Sequence, residues 1–307
     1  MSQGRLDLSR VFELEPHGPD TYVGESPRYE WGRIYGGLVV AQALRAAVYT
    51  VQAEHAVHSL HAYFILGGDL AEPVRYEVDR VRNGRSFTTR RVVARQSAGA
   101  ILTLECSFQR AEDGPDTQSA DMPAGVPDPT ALAPSWDAGI ERCDFARPKT
   151  EPGSMTWVRF PGVLRRDRLT GTAPPEPGGG LRRDRLTDAE PSEPGGGARD
   201  PAEAALHCCA LAYLSDMNAM DAITASGVPR PVSQPAWGEG WMGVSLDHAV
   251  WFHRPVRSDD WLLLDFTGHG LIRTRGLATG LVFDRRGIHV ATIAQEGLLR
   301  TRRPSAG

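Results

Sequence analysis

Apolar and polar positions divide this chain into two blocks that share one order of elements. The first block opens with an apolar run at residues 36–48 that carries no charge before Arg45. This run predicts a helix buried on most sides, extending to about residue 52. Strand signals follow at residues 57–66, 74–82, 86–96 and 100–110. Asn83-Gly84 between the second and third signal is a strong hairpin signal, so the block predicts a buried helix and then an antiparallel meander.

The second block repeats this order. Apolar residues at helical spacing predict a helix over residues 201–223. Strand signals follow at residues 244–253, 261–267, 273–283 and 288–300. Gly268-His269-Gly270 and Arg285-Arg286-Gly287 are predicted to form the turns. The repeated order indicates an α+β protein built from two similar units.

A segment of different composition lies between the two units. Residues 111–135 are rich in Pro, Gly, Asp and Ala, as is typical of a linker. We therefore expect an N-terminal unit at residues 1–112, a linker at 113–137 and a C-terminal unit at 138–303.

The C-terminal unit contains a tandem repeat. The segment Leu-Arg-Arg-Asp-Arg-Leu-Thr at residues 164–170 recurs at residues 181–187, and each copy runs into a Pro- and Gly-rich stretch. Two copies are too few for a solenoid, and their composition favours a mobile surface loop over a packed core. We expect such a loop at residues 164–200. A basic docking arm built on the Arg clusters is the alternative.

Composition also narrows the function classes. The 307 residues are 41% hydrophobic and 23% charged, which is typical of a globular protein. The net charge of −4 provides no basic field for nucleic acid or for an anionic membrane. No apolar run reaches the ~18 residues of a membrane span. The four cysteines lack zinc-ligand spacing, and we expect neither a metal nor a cofactor.

The ends of the chain bear on localisation. Residues 1–7 lack the apolar core of a signal peptide, and residues 303–307 are not a Ser-Lys-Leu peroxisomal address. We therefore expect a cytoplasmic protein that binds neither nucleic acid nor a membrane.

A carboxylate interrupts the second predicted helix. Asp216 follows a run of apolar residues that indicates a buried helix face. Burying an ionised carboxylate costs on the order of several kcal/mol unless hydrogen bonds or an opposite charge offset this cost. Asp216 could lie on the solvent side of the helix or near its end; otherwise its burial indicates a functional role.

Ordered motifs along nearly the whole chain resemble the type II acyl-CoA thioesterases. In the first unit they are residues 33–44 (RIYGGLVVAQAL), 58–64 (HSLHAYF) and 84–87 (GRSF). In the second unit they are residues 212–216 (AYLSD), 246–248 (LDH) and 295–297 (QEG). The resemblance implies a double hotdog fold, in which two long helices are each wrapped by an antiparallel β-sheet. It further implies a homo-oligomer that hydrolyses acyl-CoA to fatty acid and coenzyme A in lipid metabolism.

The resemblance also implies the catalytic residues. The family holds the attacking water with an Asp, a Ser or Thr, and a Gln, and the matching positions are Asp216, Ser245 and Gln295. The carboxylate would accept the water proton, and the hydroxyl and amide would hold the water or the substrate carbonyl. The backbone N–H groups of Gly36 and Gly37 could donate to the substrate, or these glycines could only permit close packing.

The two units differ at the implied site. Aligning the two helices places Leu44 opposite Asp216, so one active site per chain is expected. A catalytically silent acyl-CoA binder or regulator is the main alternative. An enoyl-CoA hydratase would pair the Asp with a His five positions later, where this chain has Asp221. Asp247 and His248 could form an acid–base dyad, but neighbouring strand residues point to opposite faces.

Overall fold

Strand pairing produces one continuous antiparallel sheet. A computed structural model describes residues 10–137, 139–147, 151–161, 200–227 and 241–301, and within them the sheet has 14 strands. The predicted loop at residues 164–200 lies outside the described residues, apart from Asp200. The predicted combination of helices with an antiparallel sheet is confirmed.

The elements follow the two-block order. The helices are α1 (Gly36–Val48), α2 (Pro201–Ser215) and α3 (Ala219–Gly227). The strands of the first half are β1 (Glu15–Pro16), β2 (Thr21–Gly24), β3 (His55–Phe64), β4 (Val74–Asn83), β5 (Phe87–Gln96) and β6 (Gly99–Arg110). Those that follow are β7 (Ser135–Asp137), β8 (Ile140–Asp144), β9 (Gly153–Arg159), β10 (Trp241–Ser245), β11 (Asp247–Phe252), β12 (Leu262–Ile272), β13 (Arg275–Asp284) and β14 (His289–Thr301). A short 3₁₀ helix (Pro129–Ala131) and β7 lie within the predicted linker.

The strand order of the first half is repeated in the second. It runs β2-β4-β5-β6-β3 on one side and β9-β12-β13-β14-β11 on the other, so each block uses its strands in the same sequence. The halves join where β3 and β11 pair antiparallel, with Asp247 opposite Tyr63 and Trp251 opposite Ser59. This junction makes the two halves share one sheet.

The helix pair α1 and α2 lies at the centre of the protein. Leu38, Val40, Ala43 and Leu44 of α1 are fully buried, which confirms the prediction of a helix buried on most sides. The N-terminus of α1 meets the C-terminus of α2, because a Cβ on Gly37 would lie 2.4 Å from the carbonyl oxygen of Tyr213. The pair is therefore antiparallel. Within the described residues, no helix is both long and apolar enough to cross a membrane.

The second helix is shorter than predicted. Instead of running over residues 201–223, α2 ends at Ser215, and α3 begins at Ala219. Asn218 between them has a positive φ of 68°, a left-handed conformation that Asn tolerates better than most residues. The break places Asp216 at the C-cap of α2 rather than inside a helix.

Two strand predictions in the second half are also wrong. The predicted strand at residues 244–253 is divided at Leu246 into β10 and β11, both of which pair with β14. The predicted turn at Gly268–Gly270 is an irregularity within β12, where the register with β13 shifts. The chain turns instead at Arg273 and Thr274, which have φ values of 48° and 72°.

Candidate active site

Asp216 lies where the C-terminus of α2 meets the N-terminus of α1. It caps the C-terminus of α2, and its carboxylate accepts a hydrogen bond from the backbone N–H of Gly37 in the first turn of α1. The end of α2 carries partial negative charge, which disfavours a carboxylate, whereas the start of α1 carries partial positive charge. The antiparallel helix pair therefore provides a backbone donor that offsets the unfavourable terminus.

Three predicted residues form a triangle of hydrogen bonds. Gln295 Nε2 donates to Asp216 Oδ1 at 2.9 Å and to Ser245 Oγ at 2.7 Å. Ser245 Oγ donates to the same Asp216 oxygen at 3.3 Å. Both amide hydrogens of Gln295 are thus directed at the other two residues, and Gln295 and Ser245 donate to the same carboxylate oxygen of Asp216.

Strand register explains why Ser245 meets Gln295. Ser245 pairs with Gly297 across β10 and β14. Gln295 lies two residues from Gly297 on the same strand face, diagonally opposite Ser245 and within reach of its side chain. The end of β10 and the middle of β14 therefore set two corners of the triangle, and the end of α2 sets the third.

His248 extends the network behind Gln295. Its Nδ1 lies 2.6 Å from Gln295 Oε1, and its Nε2 lies 2.7 Å from Ser215 Oγ. Because an amide oxygen only accepts, Nδ1 carries the hydrogen and donates. This bond fixes the amide of Gln295 with its NH₂ group toward Asp216.

Burial changes the protonation of both titratable groups. Desolvation raises the pKa of Asp216 to about 6, although hydrogen bonds from Gln295, Gly37 and Ser245 act in the opposite direction. Desolvation lowers the pKa of His248 to about 4, so its ring is neutral at physiological pH. The site therefore combines a carboxylate that titrates near pH 6 with a neutral imidazole.

Gly36 and Gly37 allow the two helix ends to approach. A Cβ on Gly36 would lie 2.7 Å from Asp216 Oδ2 and 3.0 Å from the Phe64 ring. The glycines therefore permit α1 to pack closely against the end of α2. The backbone N–H of Gly37 also donates to the carboxylate of Asp216. Substrate binding by the two glycines stays a prediction.

Aromatic residues of the first half lie beside the site. Tyr35 Oη donates to the carbonyl oxygen of Tyr213 at 3.0 Å, three residues before Asp216. Tyr29 stacks on Trp31 with ring centroids 4.7 Å apart and contacts the Tyr213 hydroxyl at 3.2 Å. The Trp31 side chain is 53% exposed. These rings form an aromatic cluster that packs against Tyr213 in the last turn of α2.

The structure brings Asp216, Ser245 and Gln295 together and adds one residue that sequence reasoning missed. The sequence suggests His248 only as the dyad partner of Asp247. In the structure Asp247 accepts from the backbone N–H of Glu296, whereas His248 is fully buried against Gln295. The signal is present in the Asp-His string, but only the fold shows which of the two faces the site.

Comparisons with known proteins agree with the resemblance. Residues 26–109 match the family described as acyl-CoA thioesterase N-terminal domain, and residues 167–299 match the acyl-CoA thioesterase C-terminal domain. Acyl-coenzyme A thioesterase 8 of Rattus norvegicus is 32% identical over 96% of this chain and 89% of its own length. Acyl-CoA thioesterase 2 of Haemophilus influenzae is 30% identical over 98% of this chain and 99% of its own length.

Solved structures show the same relationship. An acyl-CoA thioesterase II from Mycobacterium marinum has a TM-score of 0.70 and 32% identity, covering 98% of each chain. A hot dog fold protein from Alicyclobacillus acidocaldarius has a TM-score of 0.66 at 17% identity, covering 97% of this chain and 98% of its own, which shows the fold alone. The protein described here belongs to the acyl-CoA thioesterase II family.

Proposed function

We propose that this acyl-CoA thioesterase hydrolyses its substrate with a water that Asp216 activates, while Ser245 and Gln295 hold the carboxylate in position. The observation that carries the proposal is the triangle of hydrogen bonds among these three side chains, with contacts of 2.7–3.3 Å. Family membership supports acyl-CoA as the substrate.

In the first step the water attacks the thioester carbonyl carbon while Asp216 accepts its proton. A carboxylate with a pKa of about 6 is a stronger base than an exposed one and is still ionised at neutral pH. The carbonyl oxygen becomes an oxyanion in the tetrahedral intermediate. Because both Gln295 hydrogens are engaged, the donors for this oxyanion come from the N-terminus of α1, where Gly36 lies.

In the second step the C–S bond breaks. The intermediate collapses to the fatty acid, and coenzyme A leaves as a thiolate. The proton held by Asp216 then passes to the products, which restores the carboxylate. A thiol is sufficiently acidic, with a pKa of roughly 8.5, for this departure to need no strong general acid.

We infer a double hotdog architecture with one active site per chain. The repeated strand order and the two central helices support two units. The unit boundaries, with a linker at residues 113–137, stay predictions, as do the homo-oligomer and the cytoplasmic location. Superposition of residues 15–110 on residues 140–301 tests the two-unit architecture, and failure of their strands to overlay would contradict it.

Release of free thiol from a panel of short, medium and long acyl-CoAs tests the activity. The wild-type protein should release coenzyme A, and Asp216→Asn should lower turnover by about 10²–10⁴-fold, the usual worth of positioned acid–base catalysis. Asp79→Asn is the matched control, because Asp79 is an exposed residue of β4 that pairs with Arg91. A wild-type protein that binds acyl-CoA without releasing thiol would instead be a silent binder.

A further inference from the structure

A cavity of about 590 Å³ opens at the end of the helix pair opposite to Asp216. Its walls are the last turn of α1, the first turns of α2, the start of β3, the end of β6 and the segment after β11. The 13 residues of α1 span roughly 20 Å, so the cavity is remote from the hydrolytic triangle. None of the three residues of the triangle lines it.

The interior of the cavity is mostly apolar. Val57, Phe108, Phe252 and Val256 line it and are each less than 9% exposed. Its volume falls within the range of roughly 300–1,000 Å³ that is typical of small-molecule sites. Such walls suit an alkyl chain.

Two polar side chains that line the cavity have buried nitrogen atoms without hydrogen-bond partners within the described part of the chain. His55 is 8% exposed, and neither ring nitrogen has a partner. Arg45 Nε is buried without a partner, and its guanidinium lies 4.4 Å from the Tyr49 ring centroid. Buried donors without partners are unfavourable, and an Arg is always charged. An anionic oxygen is a suitable acceptor for the unpaired N–H group of either residue.

The other charged residues of the cavity leave its interior positive. Glu54, Glu112 and Arg110 line the cavity from exposed positions at its rim. Arg254 is bound to Asp116. His58 is engaged through Nε2 with Ser107 Oγ at 2.8 Å. The positive charge in the interior of the cavity is therefore the single charge of Arg45. One positive charge is balanced by one carboxylate, whereas coenzyme A carries several negatively charged phosphates.

We propose that this cavity binds a fatty acid, with its carboxylate on Arg45 and His55 and its chain against the apolar walls. The ligand class follows from the chemistry of the cavity, independently of the hydrolytic site. The cavity would thus give the protein a second, non-catalytic site for a fatty acid.

Isothermal titration of the full-length protein with dodecanoate tests the proposal. Arg45→Met keeps an unbranched apolar stem and removes the charge, so it should weaken binding by at least about tenfold. Ala205→Leu fills the cavity without changing its charge and should weaken binding as well. Dodecanol, which has the same chain without the charge, should bind more weakly than dodecanoate to the wild type. Melting curves establish that each variant is folded. The comparison of dodecanol with dodecanoate uses only the wild-type protein, so it tests the role of the charge even if a variant does not fold.

Controls separate this site from the hydrolytic one. Asp216→Asn should lose thiol release and keep dodecanoate binding, and Arg45→Met should keep its initial rate of thiol release. Arg110→Met removes a charge at the exposed rim and should change binding little. Equal dodecanoate affinity in wild type and Arg45→Met, loss of binding in Asp216→Asn, or no binding to the wild type would each overturn the proposal.

Discussion

The backbone N–H of Gly37 donates to the carboxylate of Asp216, which links the first helix of one half to the end of the central helix of the other. A residue from each half is therefore required to build the candidate site. This contact explains how a carboxylate is held at a helix C-terminus, where the helix dipole alone would disfavour it.

The rate of hydrolysis should follow the ionisation of Asp216. The carboxylate is the active form, and burial raises its pKa to about 6. We expect kcat/KM to rise about tenfold per pH unit below pH 6 and to level off above it, as the free enzyme loses this proton. A pH–rate profile measured from pH 4.5 to 8.5 checks this. A plateau that extends down to pH 5 would contradict Asp216 as the base.

The same ionisation should make Asp216 a source of instability at neutral pH. Its pKa is about 6 in the folded protein, against an ordinary value of 3.8 for an aspartate, so folding disfavours the charged form. The penalty is absent below pH 4 and complete above pH 6. The free energy of unfolding of Asp216→Asn relative to wild type should therefore increase as pH rises from 4 to 6. Urea unfolding at several pH values measures it, and a constant difference would refute the linkage.

His248 should act through Gln295 rather than on the substrate. His248→Leu removes the donor that orients the Gln295 amide, so kcat should fall by about tenfold or more while KM changes little. His248→Asn retains a donor near the Nδ1 position and should recover part of the loss. Steady-state kinetics of both variants distinguish a role of His248 in orienting the Gln295 amide from a role in packing alone. If Asn were no better than Leu in folded protein, the orienting role would be wrong.

Gly36→Ala should disturb the carboxylate directly. The added Cβ would lie 2.7 Å from Asp216 Oδ2, so one of the two groups must move. Displacement of a catalytic group by about 1 Å can cost on the order of 10²-fold in rate, and we expect a loss of kcat of at least about tenfold. Gly114→Ala is the control, because a Cβ there meets nothing within 4 Å. A Gly36→Ala variant with wild-type kcat would show that the contact has no effect on catalysis.

Local pattern determined most of the elements. The apolar run at residues 36–48 predicted α1, and Asn83-Gly84 predicted the hairpin between β4 and β5, because both signals depend on residues close in the chain. The break after Ser215 was missed because the apolar spacing continues beyond it, and only the left-handed backbone at Asn218 ends the helical path.

The sequence by itself identified Asp216, Ser245 and Gln295 as candidates, since their motifs resemble a family. Only the tertiary structure decided that they contact one another, that His248 lies behind Gln295, and that Gly37 bonds to Asp216. These contacts join residues that are far apart in the chain, brought together by strand register and by the antiparallel packing of α1 and α2. Periodicity reports which face of an element is buried, whereas it carries no information on which distant element that face meets.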